Sequence, residues 1–350
     1  MSIIGDLQGR TAKHRIPVQA SLELTHSCNQ RCGHCYLASH NDSGKGCSPL
    51  GFEEWRRILD ELSEEGTLFL TLIGGEAMLH PKFWQIARHC VTRNFAVSLI
   101  TNGILIDDVV AERIAELNFF QVTLSLYSMD PAIHDKMTGV KGSYARTIAA
   151  LDQLRLRKVP IGINCLLTKH NIDSCFELKQ WAKQRDIRIQ FSLLVTTRLD
   201  GAVEPALERA SAEQIYRYFA TLRKLDNQIR PAAVVAPNPT DPDSPVCNAG
   251  RGRCAIDPFG NLLACIDMRD QIGNLRERSF RELWNSPKAL CLSGFINHDL
   301  KFNPRSKDGM FCSHCPAMAD LEVGDKMAPV PFLMEIASIR RRIYECKTTN

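Results

Sequence analysis

Apolar and polar positions along residues 18–194 alternate between two periods, one typical of strands and one typical of helices. Residues 18–24 alternate residue by residue, and residues 67–73 form a continuous apolar run that predicts a buried parallel strand. Between them, Ser48 is the predicted N-cap of a helix whose apolar positions share one face: Phe52, Trp55, Leu59 and Leu62.

The same pattern predicts helices at 81–93, 107–117, 143–157 and 171–185, and strands at 95–101, 119–126, 160–167 and 187–194. Six strands joined by helical crossovers imply a parallel sheet with helices outside. Six units are fewer than the eight of a closed barrel. The sequence therefore predicts an α/β fold built as a partial (β/α)6 barrel, with its chemistry on the loops that follow the strands.

Composition shifts divide the chain into four predicted parts. Residues 1–17 form an N-terminal extension, and 18–229 form the barrel, closing with a helix at 211–226. Residues 230–245 contain five prolines and are typical of a linker. Residues 246–350 form a smaller second unit with little regular periodicity before a last helix at 330–345.

Charge and composition exclude two classes of partner and point to metal chemistry. The 350-residue chain has a net charge of +4, too mild for nucleic-acid binding, and neither a membrane-length apolar run nor a signal peptide. We therefore expect a cytoplasmic protein. Its 14 cysteines are numerous for a reducing compartment, where metal ligation or catalysis is the usual role of clustered cysteines.

Cys28, Cys32 and Cys35 follow the first predicted strand with the spacing C-x3-C-x2-C. Thiolates suit zinc or iron–sulfur clusters. A closed zinc site would take a fourth ligand from His26 or His34, whereas a four-iron cluster held by three cysteines keeps one iron open. The spacing alone leaves both alternatives open.

Three further segments end the next strands: "IGGEAML" (73–79), "ITNG" (100–103) and "TLSLYS" (123–128). Together with the three cysteines, they resemble the radical S-adenosylmethionine (radical SAM) superfamily over residues 18 to about 200. The resemblance implies that Cys28, Cys32 and Cys35 hold a [4Fe–4S] cluster whose open iron binds S-adenosyl-L-methionine (SAM). It also implies that SAM is cleaved to a 5′-deoxyadenosyl radical, which abstracts a hydrogen atom from the substrate.

The resemblance further implies residue roles. Gly74, Gly75 and Glu76 are expected to contact the methionyl amine, although Ala77 replaces the usual proline of the motif. Two polar residues on later strands, Ser125 and Asn164, are candidate cofactor contacts, with barrel-lining residues as the alternative.

Four other cysteines have plainer interpretations. If Asn164 points into the barrel, strand alternation turns Cys165 toward the helices as a core residue. Cys90 and Cys175 lie on predicted helices and are expected to pack in the core. Cys47 is expected to be an ordinary exposed thiol.

The second unit carries its own cysteines: Cys247, Cys254, Cys265, Cys312 and Cys315. "DPFGNLLAC" predicts a hairpin with a turn around Pro258–Gly260. A zinc knuckle is one interpretation. The other is the SPASM/twitch extension of radical SAM enzymes, which "GNLRERSFRELWNSP" (273–287) also resembles.

A full SPASM domain has more cysteines after C-x2-C than this chain offers. We therefore predict one auxiliary [4Fe–4S] cluster, held by Cys247, Cys254, Cys265 and one or both of Cys312 and Cys315. Cys291 and Cys346 are reserve ligands.

The resemblance implies a radical SAM oxidoreductase that modifies a ribosomally synthesised peptide by crosslinking, thioether formation, other oxidation or epimerisation. Alternatives are a small-molecule dehydrogenase, a tetrapyrrole-modifying enzyme, and a sulfatase-activating enzyme that forms formylglycine. For the last of these, Asp267 is a weak candidate base. A non-enzymatic iron–sulfur or zinc-binding scaffold is a further alternative.

The expected partners follow from the first hypothesis. They are a peptide substrate and an electron donor such as flavodoxin or ferredoxin. Because only about 17 residues precede the first strand, we expect either a separate leader-peptide-binding protein or a barrel that grips the leader itself.

Overall fold

A computed structural model describes residues 10–37, 40, 48–225 and 241–345. Cys47, Cys346 and most of the predicted linker lie outside the described residues. Within these ranges, nine strands form one sheet in the order β6-β5-β4-β3-β2-β1-β7-β8-β9. Their bounds are β1 Gln19–Glu23, β2 Phe69–Ile73, β3 Ala96–Thr101, β4 Gln121–Ser125, β5 Ile161–Leu166, β6 Arg188–Ser192, β7 Arg253–Ile256, β8 Asn261–Cys265 and β9 Met268–Asn274.

Helices follow the strands of the first half and cover one face of the sheet. They are α1 Phe52–Glu64, α2 Phe83–Thr92, α3 Asp108–Glu116, α4 Pro131–Thr138, α5 Ser143–Leu156, α6 Cys175–Gln184 and α7 Ala212–Leu225. The second half contributes α8 Phe280–Trp284, α9 Pro287–Ser293, α10 Pro316–Val323 and α11 Pro331–Glu345. Short 3-10 turns lie at Ala77–Leu79, Ile172–Ser174, Glu204–Glu208, Asn297–Asp299 and Gly309–Phe311.

The six predicted strands and their crossovers are confirmed. Strands β1 to β6 pair in parallel and in chain order, as an open partial barrel requires. The helix α4 between β4 and β5 was not predicted. The second half also holds more regular structure than its sequence pattern indicated, because short strands and one-turn helices carry little periodicity.

The start of α1 differs from the prediction. The helix begins after Gly51 rather than Ser48, and the Glu54 carboxylate accepts a hydrogen bond from the Gly51 backbone N–H at 2.7 Å. Residues 48–50 are not helical because Leu50 is drawn into the core, where its N–H donates to the Pro258 carbonyl at 2.7 Å. A tertiary contact with the second half therefore decides where the helix begins.

The predicted hairpin is confirmed, and it extends the barrel sheet. Strands β7 and β8 are antiparallel, and Gly260 in the turn adopts a φ of +89°, which favours glycine. The first of them, β7, also pairs in parallel with β1, with Cys254 opposite Ala20. The described parts of both halves thus share one sheet. The boundaries of the four parts that the sequence predicts remain a prediction.

The apolar core lies between the sheet and its helices. Alternate positions of β1 to β5, such as Leu70 and Leu72 on β2, are buried in it, and Ile189 and Phe191 on the edge strand β6 are partly buried against it. The other positions face the barrel interior and include many polar residues, so β2 alternates in burial rather than being buried on both faces. Closed barrels fill this interior with bulky side chains, whereas the polar interior here leaves space for a site. No helix among the described residues is long and apolar enough to cross a bilayer.

Candidate functional site

A cavity of about 370 Å³ opens at the C-terminal ends of the barrel strands. The predicted site residues that line it are Cys28, Cys32, Cys35, Gly74, Gly75, Ser125, Asn164, Asp267 and Cys315. They come from both halves of the chain. The cavity therefore joins the first cysteine loop to the second unit.

The cysteine loop is held by its own backbone and by two neighbouring segments. The Cys35 N–H donates to the Cys32 carbonyl at 3.1 Å, and the Arg31 N–H donates to the Thr138 carbonyl at the end of α4 at 2.9 Å. Gly139, which follows α4, has a φ of +68°, and a Cβ there would lie 2.6 Å from the Arg31 carbonyl oxygen. The unpredicted helix α4 thus fixes the middle of the loop.

Gly74 and Gly75 fix the start of the same loop. A Cβ on Gly74 would lie 2.3 Å from the Thr25 carbonyl oxygen, and one on Gly75 would lie 2.4 Å from that of His26. The Gly75 N–H donates to the Thr25 carbonyl at 2.7 Å. The sequence predicts that the two glycines contact the methionyl amine. The structure adds a reason for glycine at both positions, close packing against the backbone of the cysteine loop.

Glu76 is buried next to these glycines and does not line the cavity with them. Its carboxylate accepts hydrogen bonds from the Thr101 hydroxyl at 2.9 Å and the Asn102 N–H at 2.9 Å. Asn102 in turn donates through its side chain to Asn29, between the first two cysteines, at 2.7 Å. Burial raises the pKa of Glu76 to about 7.

The three cysteine thiols are partly buried at the cavity wall. Burial raises the pKa of each of them above its ordinary value. Metal binding must therefore remove protons that the free thiols retain. Three sulfur donors from one loop, facing an open cavity, fit a cluster that keeps one side open. Among the described residues, no group of three or more His, Cys, Asp or Glu side chains is placed to hold a single metal ion.

Several lining residues were missed or given another role. Tyr127 follows β4 within the quoted segment "TLSLYS", and His34 packs edge-on against its ring with centroids 4.8 Å apart. Burial lowers the pKa of His34 to about 4, so the imidazole is neutral at pH 7. Gln190 on β6 lines the cavity too, and strand alternation along "RIQFS" was the signal that could have found it.

The second unit brings three of its cysteines near one another. Burial raises the pKa of Cys315 to about 12, and its proximity to Asp267, Cys265 and Cys247 raises it too. Cys254 on β7 is paired with Ala20 on β1, and both side chains are buried on the side of the sheet that faces the helices. Cys312 has the Arg340 guanidinium as its charged neighbour.

The remaining described cysteines differ in burial. Cys90, Cys165 and Cys175 are buried in the apolar core, as expected. Cys165 is buried and its neighbour Asn164 is partly exposed, as strand alternation predicts, and Cys165 also reaches the wall of the main cavity. Cys291 is exposed on α9.

Comparison with known families matches both halves. Residues 22–182 match the Radical SAM superfamily, and residues 247–316 match SPASM, an iron–sulfur cluster-binding domain. The chain therefore contains a radical SAM domain followed by a SPASM domain. The protein is a radical SAM enzyme. Its first domain binds a [4Fe–4S] cluster and SAM, and its second domain binds auxiliary iron–sulfur clusters.

The individual relatives share about a quarter of their residues with this chain. An AdoMet-dependent heme synthase of Methanosarcina barkeri is 27% identical over 89% of this chain and 94% of its own length. The mycofactocin maturase MftC of Mycobacterium ulcerans is 27% identical over 77% of this chain and 75% of its own. The crystal structure of Streptococcus suis SuiB bound to its precursor peptide SuiA superposes with a TM-score of 0.68 at 18% identity. The superposition covers 95% of this chain and 80% of the SuiB chain, and it shows that the two proteins share a fold.

Proposed function

We propose that this protein is a cytoplasmic enzyme that modifies a ribosomally synthesised peptide by crosslinking, thioether formation, other oxidation or epimerisation. One observation carries the proposal: the same cavity is lined by the first three cysteines and by Cys315 and Asp267 of the second unit. A substrate in that cavity lies within reach of both iron–sulfur domains.

The walls of the cavity favour a peptide. Gln30, Asn164 and Gln190 present amide groups, which both donate and accept hydrogen bonds and so complement a peptide backbone. Similarity to a mycofactocin maturase supports the same class.

A tetrapyrrole-modifying activity is the second candidate, because the heme synthase similarity extends over nearly the whole relative. Against it, the Asp267 carboxylate in the cavity repels a substrate rich in carboxylates.

Each part of the site has a proposed role. Cys28, Cys32 and Cys35 hold the first cluster. The proposed SAM contacts are Gly74, Gly75, Glu76, Ser125 and Asn164. When bound, cluster and cofactor supply reductive cleavage of SAM and hydrogen-atom abstraction. Glu76 positions Asn102 and, through it, Asn29 of the cysteine loop.

The proposed auxiliary site contains Cys247, Cys265 and Cys315, with Cys254 or Cys312 as the fourth ligand. Asp267 lies beside Cys265 and Cys315 and is the proposed proton acceptor for the substrate. A carboxylate there accepts a proton from a substrate that loses a hydrogen atom and an electron.

Turnover tests the enzyme class. Reconstituted protein reduced with dithionite should release 5′-deoxyadenosine from SAM, Cys32→Ala should abolish the release, and Cys265→Ser should retain part of it. Release by Cys32→Ala at the wild-type rate would contradict the assignment of the first cluster.

Iron content tests the ligand sets. Two four-iron clusters require about eight irons per chain, and Cys265→Ser should lower the content to about four. Comparing Cys254→Ser with Cys312→Ser identifies the fourth ligand as the variant that loses iron. Cys291→Ser, which removes an exposed thiol on α9, is the matched control.

Co-expression tests the substrate. A short peptide encoded beside the gene should change mass when produced with the enzyme, a leader-binding protein and flavodoxin or ferredoxin. Conversion of an iron tetrapyrrole instead would favour the second candidate, and formylglycine in a sulfatase peptide would favour the sulfatase-activating alternative.

A further inference from the structure

The inner face of β4, β5 and β6 carries polar side chains in register. Ser125, Asn164 and Gln190 lie side by side across the three strands at the level of the main cavity. Asn164 and Gln190 also line a second cavity of about 140 Å³. The polar surface therefore continues from the main cavity toward the opposite end of the barrel.

The second cavity occupies the next layer of the same strands. Thr123, Gly162 and Arg188 are paired there across β4, β5 and β6. A Cβ on Gly162 would lie 2.4 Å from the side-chain nitrogen of Gln121. The missing side chain of Gly162 therefore lets the Gln121 amide lie across β5 and line the cavity.

The two ends of this polar surface differ in charge. Asp267 lies in the main cavity, whereas Arg188 lines the second one. The Arg188 side chain is exposed on the edge strand β6 and has no ion pair or hydrogen bond with the part of the chain that the structure describes. Arg188 precedes Ser192 by four residues on β6, roughly 13 Å in an extended strand.

We propose that Arg188, with Gln121, forms a subsite that binds a carboxylate of the substrate at a distance from the reacting carbon. Arginine binds a carboxylate through two parallel N–H donors, and the Gln121 amide offers a further donor beside it. Asp267 repels the same group at the other end, so the charges orient the substrate. The substrate class rests on the proposed function, and the carboxylate is the C-terminus of a peptide or an acidic side chain.

Ligand-observed NMR tests this subsite without turnover. The probes, added to cluster-reconstituted, SAM-bound protein, are acetyl-tetraglycine as acid and as amide, and acetyl-Gly-Gly-Glu-Gly-amide with its glutamine counterpart. We expect at least one acid to bind about fivefold more tightly than its neutral partner. The pair that shows the preference identifies the carboxylate source.

Arg188→Ala should erase that preference and Arg188→Lys should retain part of it. Arg155→Ala, which removes an exposed arginine on the outer helix α5, is the matched control and should leave it unchanged. Equal binding of acid and neutral probes by the wild type, or a preference that survives Arg188→Ala in protein with a wild-type melting curve, would overturn the subsite. Neither result depends on whether a peptide is modified. A failure of the proposed function can therefore be told apart from a failure of the subsite.

Discussion

Glu76 is a buried carboxylate whose ionisation the fold opposes. Burial raises its pKa from 4.5 to about 7, so between these values the folded protein binds more protons than the unfolded chain. Stability should therefore fall as pH rises through this window, by about 3 kcal/mol from this group.

Glu76→Gln should reduce this fall, because the amide cannot ionise. The measurement is denaturant unfolding of cluster-free protein at about pH 5 and about pH 7.5. Glu116→Gln on the exposed side of α3 should retain the wild-type pH dependence. An unchanged fall in Glu76→Gln would contradict the elevated pKa.

Gly75 is the residue whose replacement should most directly disturb the first site. In Gly75→Ala, the methyl group meets two backbone oxygens, of His26 at 2.4 Å and Ser27 at 2.5 Å, and backbone cannot move aside as a side chain can. We expect the cysteine loop to shift and iron content to fall by about four per chain.

The control is Gly252→Ala, where the nearest atom to the new methyl is 3.5 Å away. Iron analysis and the electron paramagnetic resonance of the reduced protein measure the effect. A normal cluster signal in Gly75→Ala would show that the loop does not depend on this close packing.

At the scale of elements, the segment after β6 is tied to α10 by Arg209. Its guanidinium pairs with Glu322 on α10, donates to the Val195 carbonyl at 2.9 Å and lies over the Phe332 ring. Because α10 begins directly after Cys315, this contact also helps to position the second unit at the cavity.

Arg209→Ala should destabilise the protein by about 3 kcal/mol, because it leaves a mostly buried carboxylate without this partner. The double variant Arg209→Met/Glu322→Leu should recover most of the loss. Arg217→Ala, which breaks an exposed pair with Asp173, should cost less than about 1 kcal/mol. Equal losses for Arg209→Ala and Arg217→Ala in denaturant unfolding would contradict this role.

At the scale of the molecule, the two halves share a sheet and a core. Strand β1 lies between β2 and β7, and α7 packs against α11. We expect the amide protons of β1 and β7 to exchange together, with the protection of global unfolding. Hydrogen exchange with mass spectrometry measures both strands, and early exchange of β7 alone would show that the second unit opens independently.

Much of the first half could be predicted because its elements are local. Helical and strand periodicity located six strands and most of their helices, and three cysteines after β1 located the cluster loop. The start of α1 could not be predicted, because Leu50 is placed by a hydrogen bond to Pro258, about 200 residues away. The second half was harder, since its short elements depend on packing rather than on periodicity.

The sequence by itself determined the fold class, the cysteine sets and the polar residues at the strand ends, because residue spacing and strand alternation are local properties. Only the tertiary structure decided which of these residues meet. It brought Cys315 and Asp267 to the cavity of the first domain, turned Cys254 to the helix-facing side of β7 and directed Glu76 toward Asn102. These arrangements arise from strand pairing and burial between distant segments, which no local pattern encodes.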